Sequence, residues 1–98
     1  MEQKHSNSYY EQKNDLLNRL KRIEGQVKGI QRMIEDDKYC VDVLTQVAAV
    51  KAAIDKVGGM LLKSHAMGCI KGAIMADDKE KSAAMIDELV NVALKFMK

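Results

Sequence analysis

Leu16, Leu20, Ile23, Val27, Ile30 and Ile34 follow one another at intervals of four, three, four, three and four residues, an unbroken heptad seam. Asp36-Asp37-Lys38 interrupts it. A second seam runs through Val43, Val47, Val50, Ile54, Val57 and Leu61, with Ser64 and Gly68 in register. A third stretch, from about Ser82, places Met85, Ile86, Leu89, Val90, Ala93 and Phe96 over a broad apolar arc. The pattern predicts three helices, over residues 10–36, 39–76 and 80–97. No stretch alternates apolar and polar residues for long enough to form a strand, so the fold class is all-α. Gly58-Gly59 lies inside the second helix and costs about 2 kcal/mol relative to two alanines. The seam keeps its phase from Ile54 and Val57 to Leu61, which favours one continuous helix. The acidic link at 77–80 suits the start of the third helix, where negative side chains oppose the helix dipole favourably.

Three such helices expose more apolar surface than one small chain can cover. A hairpin of the first two leaves one face of each seam open, and the third is too short to cover both. Self-association is expected, most simply as an antiparallel four-helix-bundle dimer built from two hairpins. Ala48, Ala49, Ala52 and Ala53 in the second helix, and Gly25 with Gly29 in the first, are small enough for close helix contact. Residues 1–12 are polar and without period and are expected to form a flexible tail, leaving 13–98 as a single helical domain.

Composition narrows the class. Of the 98 residues, 47% are hydrophobic and 31% charged, with no proline, three tyrosines and one phenylalanine. This is a globular, helix-favouring mixture. No apolar run approaches the ~20 residues that cross a bilayer, and the start, MEQKHSNSYYEQK, lacks the apolar core of a secretory signal. The expected location is the cytoplasm, where two cysteines point to metal or redox chemistry rather than to a structural disulfide. The net charge of +2 is too small to argue for nucleic acid by itself. Its distribution says more: residues 16–34 hold Arg19, Lys21, Arg22, Lys28 and Arg32 against the single acid Glu24. A basic stripe of this kind is either a phosphate-binding face or an ordinary solvated helix face.

The chemistry concentrates in KSHAMGC, residues 63–69, where His65 and Cys69 stand at i and i+4 and so share a helix face. The other cysteine is Cys40. On one continuous helix, twenty-five residues separate Cys40 from His65 by about 37 Å, so the three cannot meet within one chain. A tight turn at the two glycines fails as well, since Cys40 then lies about 27 Å from the turn and His65 about 9 Å from it. Antiparallel pairing with a second copy, about a two-fold axis near Ala53-Ile54, brings Cys40 of one chain beside His65 and Cys69 of the other. Two thiolates and one imidazole form a soft donor set that selects Cu(I) or Zn(II), and three ligands suit trigonal Cu(I). Spacing leaves a bland alternative open: cysteine is often a small buried hydrophobe, and methionines at helical spacing are core fillers.

The segment NRLKRIEGQVKGIQRMIEDDKYCVDVLTQVAAVKAAI, followed by HAMGC, closely resembles the copper-sensing repressors of the CsoR family, relatives of the nickel/cobalt and formaldehyde sensors. The resemblance spans residues 14–97. It implies helical dimers that assemble into flat tetramers, binding operator DNA without metal and releasing it when metal is bound. By position it implies Cys40, His65 and Cys69 as copper ligands, with Tyr39 and Glu88 as supporting residues around them. The match of Glu88 requires about three extra residues in the link before the third helix. Residues implicated in operator binding match Arg19 and Lys56, the latter often arginine in relatives; lysine keeps the charge but loses bidentate phosphate geometry. Lys21, Arg22, Lys28 and Arg32 extend the basic set.

Departures from the relatives bear on the ligand. Nickel and cobalt sensors recruit an N-terminal histidine; here His5 lies about three positions short of that register, which Ser8 occupies. Persulfide sensors lack the histidine that this chain keeps as His65, and formaldehyde sensors use a proline that is absent here. The expectation is a Cu(I)-responsive, operator-binding repressor, homodimeric or homotetrameric, with intersubunit metal sites. The rivals are a nickel-sensing or a persulfide- or redox-sensing repressor of the same family, and a copper-carrying bundle that never binds DNA. No acid/base or nucleophile constellation stands out beyond the thiols, so no enzyme is expected, and no helix-turn-helix pattern is visible.

Overall fold

The computed structural model of the chain describes residues 9–75 and 78–98; His5 and Ser8 in the tail, and Ala76-Asp77 in the last link, lie outside the described residues. A short 3₁₀ turn, Tyr10–Gln12, leads into α1, Lys13–Glu35, followed by α2, Cys40–Met75, and α3, Lys79–Met97. Among the described residues there is no strand, as the all-α reading requires. The expected bounds hold to within a residue or so, except that the first three residues of the expected first helix form the 3₁₀ turn. No helix is long and apolar enough to cross a membrane, among the described residues.

Local chemistry explains where each helix stops and starts. At the end of α1, the Lys38 amide donates to the Met33 carbonyl at 2.9 Å and the Asp37 amide to Ile34 at 3.1 Å. This is a Schellman closure, which needs one left-handed residue; Asp37 supplies it with φ 55°. Helix α2 begins directly after Tyr39, whose carbonyl accepts from the amides of Asp42 and Val43. It then runs unbroken through Gly58-Gly59 to Met75. At the start of α3, the extended residue Asp78 caps the helix, its carboxylate accepting from the Glu80 amide at 2.9 Å.

The chain divides into two compact units, one comprising Gln12–Val57 and the other Gly58–Lys98 with the described residues 9–11. In the first, Leu16 and Ile23 of α1 and Val57 of α2 are buried, at 5–6% exposure. The rest of both seams is only partly covered: Leu20, Val27, Val47 and Ile54 are each more than 40% exposed, and Ile34 is 61% exposed. Full burial of each such side chain is worth about 1.5–3 kcal/mol, so the single chain leaves much of that stabilisation unrealised.

In the second unit the last part of α2 packs antiparallel to α3. Gly72 lies against Met85 and Gly58 against Phe96, so that the pairing climbs one helix as it descends the other. A Cβ added at either glycine would overlap the facing side chain. Gly58 is therefore a packing position as well as a local helix weakness. Cys69, between the two glycines, is the buried residue among the described residues of this unit, at 7% exposure.

Candidate metal centre and basic face

His65 and Cys69 sit one turn apart on α2, inside the unit where α3 covers that helix. The Cys69 thiol donates to the main-chain carbonyl of Met85 at 3.0 Å. Nε2 of His65 stands 3.8 Å from Oε1 of Glu88 on α3. That is within ion-pair range but beyond hydrogen-bond distance. The nitrogen is shielded from solvent and has no hydrogen-bond partner, although the side chain as a whole is 41% exposed. A sheltered imidazole nitrogen facing a carboxylate across a short gap, beside a buried thiol, is the arrangement that an outer-sphere carboxylate needs to orient a ligating histidine. The donors fit a soft ion.

Cys40 lies in the other unit, exposed at the first residue of α2; neither it nor the buried Cys69 is in a disulfide. Tyr39, its neighbour, is 69% exposed. Among the described residues, no group of three or more His, Cys, Asp or Glu side chains converges to hold an ion. The unbroken α2 is the condition under which the spacing argument calls for a second chain.

Sequence reasoning passes over Met85, treating it as core. Its carbonyl is the acceptor for Cys69 and its side chain fills the space at Gly72. The i, i+3 spacing of Cys69 and Gly72 is the signal that could have found it, since a glycine on a helix face one turn beyond a candidate ligand allows a close approach by another element.

The candidate DNA-contacting residues all belong to Gln12–Val57. On α1, at 100° per residue, Lys21, Lys28 and Arg32 fall on one line, while Arg19 and Arg22 form a second row. The single stripe read from the sequence is thus two rows. All are solvent-exposed except the half-buried Arg19, which pairs with Asp15 at 3.1 Å. Lys56, on α2, is exposed.

Residues 12–95 match the family described as metal-sensitive transcriptional repressor. The chain is 51% identical over 87 residues to the copper-sensing transcriptional repressor CsoR of Bacillus subtilis, covering 89% of this chain and 83% of that one. It is 47% identical over 87 residues to the copper-sensing transcriptional repressor RicR of Mycobacterium tuberculosis, covering 82% of this chain and 91% of the relative. Among solved structures, the copper-sensing repressor CsoR with Cu(I) from Geobacillus thermodenitrificans superposes with a TM-score of 0.74 at 39% identity, covering 100% of this chain and 95% of the other. The nickel-responsive regulator InrS superposes with a TM-score of 0.72 at 36% identity, covering 85% and 90%. By the extent of the family match and the similarity of these relatives, the chain belongs to the metal-sensitive transcriptional repressors.

Proposed function

We propose that the chain is a Cu(I)-responsive repressor that binds operator DNA when metal-free and leaves it when copper is bound, releasing transcription of copper efflux genes. The observation that carries this reading is the sheltered Nε2 of His65 facing Glu88, one turn from the buried Cys69. Residues 13–98 act as one metal-sensing and DNA-binding domain. As a transcriptional repressor the chain acts on DNA rather than as an enzyme.

His65 and Cys69 hold the ion together with Cys40 of the partner subunit, giving two equivalent sites in an antiparallel dimer that pairs further into a flat tetramer. Bound there, copper supplies a cross-link between two chains. A shift of about 1 Å would let Glu88 accept from Nε2 of His65, which would leave Nδ1 for the ion and fix the ring's orientation. Tyr39, next to Cys40 in sequence, supports the first ligand from outside the donor set. Arg19, Lys21, Arg22, Lys28, Arg32 and Lys56 neutralise operator phosphates, and Arg19 exchanges Asp15 for phosphate on binding. Two sulfurs and one nitrogen favour Cu(I) over Ni(II), which suits nitrogen-rich sites.

The test is operator binding followed by fluorescence anisotropy with reduced protein, titrated in turn with buffered Cu(I), Ni(II) and a polysulfide. Release by Cu(I) at the lowest free concentration is expected. Release by polysulfide alone would make the chain a sulfur sensor, and no operator binding in any state would make it a carrier.

A further inference from the structure

Two of the contacts between helix α3 and the last part of α2 fall at glycines. Met85 occupies the space at Gly72, and three turns later the Phe96 ring occupies the space at Gly58. Met85 and Phe96, eleven residues apart, lie almost on one line of α3. Glu88 lies beside that line and is aimed at His65. Contacts far apart along a helix set its direction, and loss of the distal one loosens that direction. A pivot of about 15° at Met85 moves the Glu88 backbone, three residues along, by about 1 Å. That is comparable with the whole distance separating the present 3.8 Å from a charge-assisted hydrogen bond of about 2.8 Å.

We propose that Phe96 is a positioning residue: seated at Gly58, it sets the direction of α3 and thereby places the Glu88 carboxylate at Nε2 of His65. The proposal rests on the reading of His65 as the sensing histidine, but its structural part concerns the metal-free chain alone. Glu88 has a long side chain that is 68% exposed, so little packing around it fixes its rotamer and the position of the backbone beneath it matters more. Gly58 contributes by being the one residue type that admits the ring: any Cβ there meets Cε1 and Cζ of Phe96.

The experiment uses the full reduced chain carrying His5→Gln, so that His65 gives the single set of ¹⁵N imidazole signals. Glu88→Gln, Phe96→Ala and the double variant are compared at fixed pH without metal, and far-UV circular dichroism reports helix content. Glu88→Gln is expected to move the Nε2 signal, Phe96→Ala to move it in the same direction by a similar amount, and the double variant to move it no further. In copper-induced operator release, each single variant is expected to lose about tenfold, the lower end for loss of an outer-sphere partner, and the double variant no more than either. If Phe96→Ala loses helix content, Phe96→Leu replaces it, keeping apolar bulk without the ring edge. A Phe96 variant of normal helicity that leaves the His65 signals at their original positions overturns the proposal, as do effects that add to those of Glu88→Gln. Failure of the unsubstituted chain to respond to Cu(I) would sink the copper reading, and the imidazole comparison would still decide the role of Phe96.

Discussion

In Gln12–Val57, Gly25 and Gly29 leave open space around α1, the apolar seams are half exposed, and the candidate phosphate-binding side chains line the helix. In Gly58–Lys98, Gly58 and Gly72 are filled by Phe96 and Met85, Cys69 is buried, and His65 faces Glu88. One unit carries the basic rows; the other sets a thiol and an imidazole against a second helix, and both leave large apolar side chains exposed. The contrast teaches that glycine carries two different messages in this chain. Where nothing approaches, it is only a local weakness of the helix; where a side chain fills its place, it is the reason two elements meet.

The comparison breaks most visibly if ligand substitutions disturb DNA binding. His65→Ala and Cys69→Ser are expected to abolish copper-induced release while leaving the metal-free operator affinity within about threefold, since every candidate phosphate-binding residue lies in the other unit. Loss of an outer-sphere partner alone costs about 10–100-fold in metal affinity, so removing a ligand is expected to cost more. Competition against a chromophoric Cu(I) chelator measures the affinity, and anisotropy measures the release. Release that survives His65→Ala removes the histidine from the site.

The reverse separation is expected for the basic rows. Lys28→Gln and Arg32→Gln should weaken operator binding and lower the salt slope by about 0.9 for each phosphate no longer neutralised. Copper affinity should stay unchanged. If the two rows found on α1 face different molecules, Lys21, Lys28 and Arg32 will share one slope change, and Arg22 will show none.

Much of this was legible in residue order, and the reasons are physical. The seams at 3.5-residue spacing dictate helices, and Asp36-Asp37-Lys38 and Asp78 end and begin them through backbone geometry that is local in sequence. His65 and Cys69 share a face because i, i+4 is fixed by the helix itself. What the sequence did not disclose is non-local. That Phe96 meets Gly58, and that the carbonyl of Met85 meets Cys69, depends on the register of α3 against α2, which no spacing within either helix sets. The two rows on α1 follow from helical phase and could have been read in advance, but an unsigned count of basic residues conceals them.

Stability offers a smaller test of the two kinds of glycine. Gly25→Ala meets nothing within 4 Å and lies well round the helix from Leu16 and Ile23, so it is expected to stabilise the chain by about 1 kcal/mol through helix propensity. Gly58→Ala gains the same propensity but must displace the Phe96 ring, at an overpacking cost of about 1–3 kcal/mol. Urea unfolding at fixed protein concentration should therefore separate the two variants by at least the smaller of those costs. Equal stabilisation by both would mean that the Phe96 packing contributes little. Destabilisation by Gly25→Ala would place that glycine in the close helix contact that its small size suggests.

The smallest effect belongs to a position where a glycine is missing. Asp37 closes α1 with φ 55°, the conformation that glycine adopts without strain. For a residue with a Cβ, the left-handed region costs about 1–2 kcal/mol, less for aspartate because its carboxylate bonds locally. Asp37→Gly relieves that cost and removes a negative charge beside the terminal carbonyls of α1, worth about 0.3–1 kcal/mol. Against this, glycine loses about 0.4–1 kcal/mol through the greater freedom of the unfolded chain. The net expectation is a gain of about 0.5 kcal/mol, read as a higher urea midpoint with an unchanged slope. Asp37→Val, β-branched and intolerant of positive φ, should lower the midpoint instead. If both variants behave alike, the Schellman closure is not what ends α1, and the break before Cys40 must be held by something other than its own backbone.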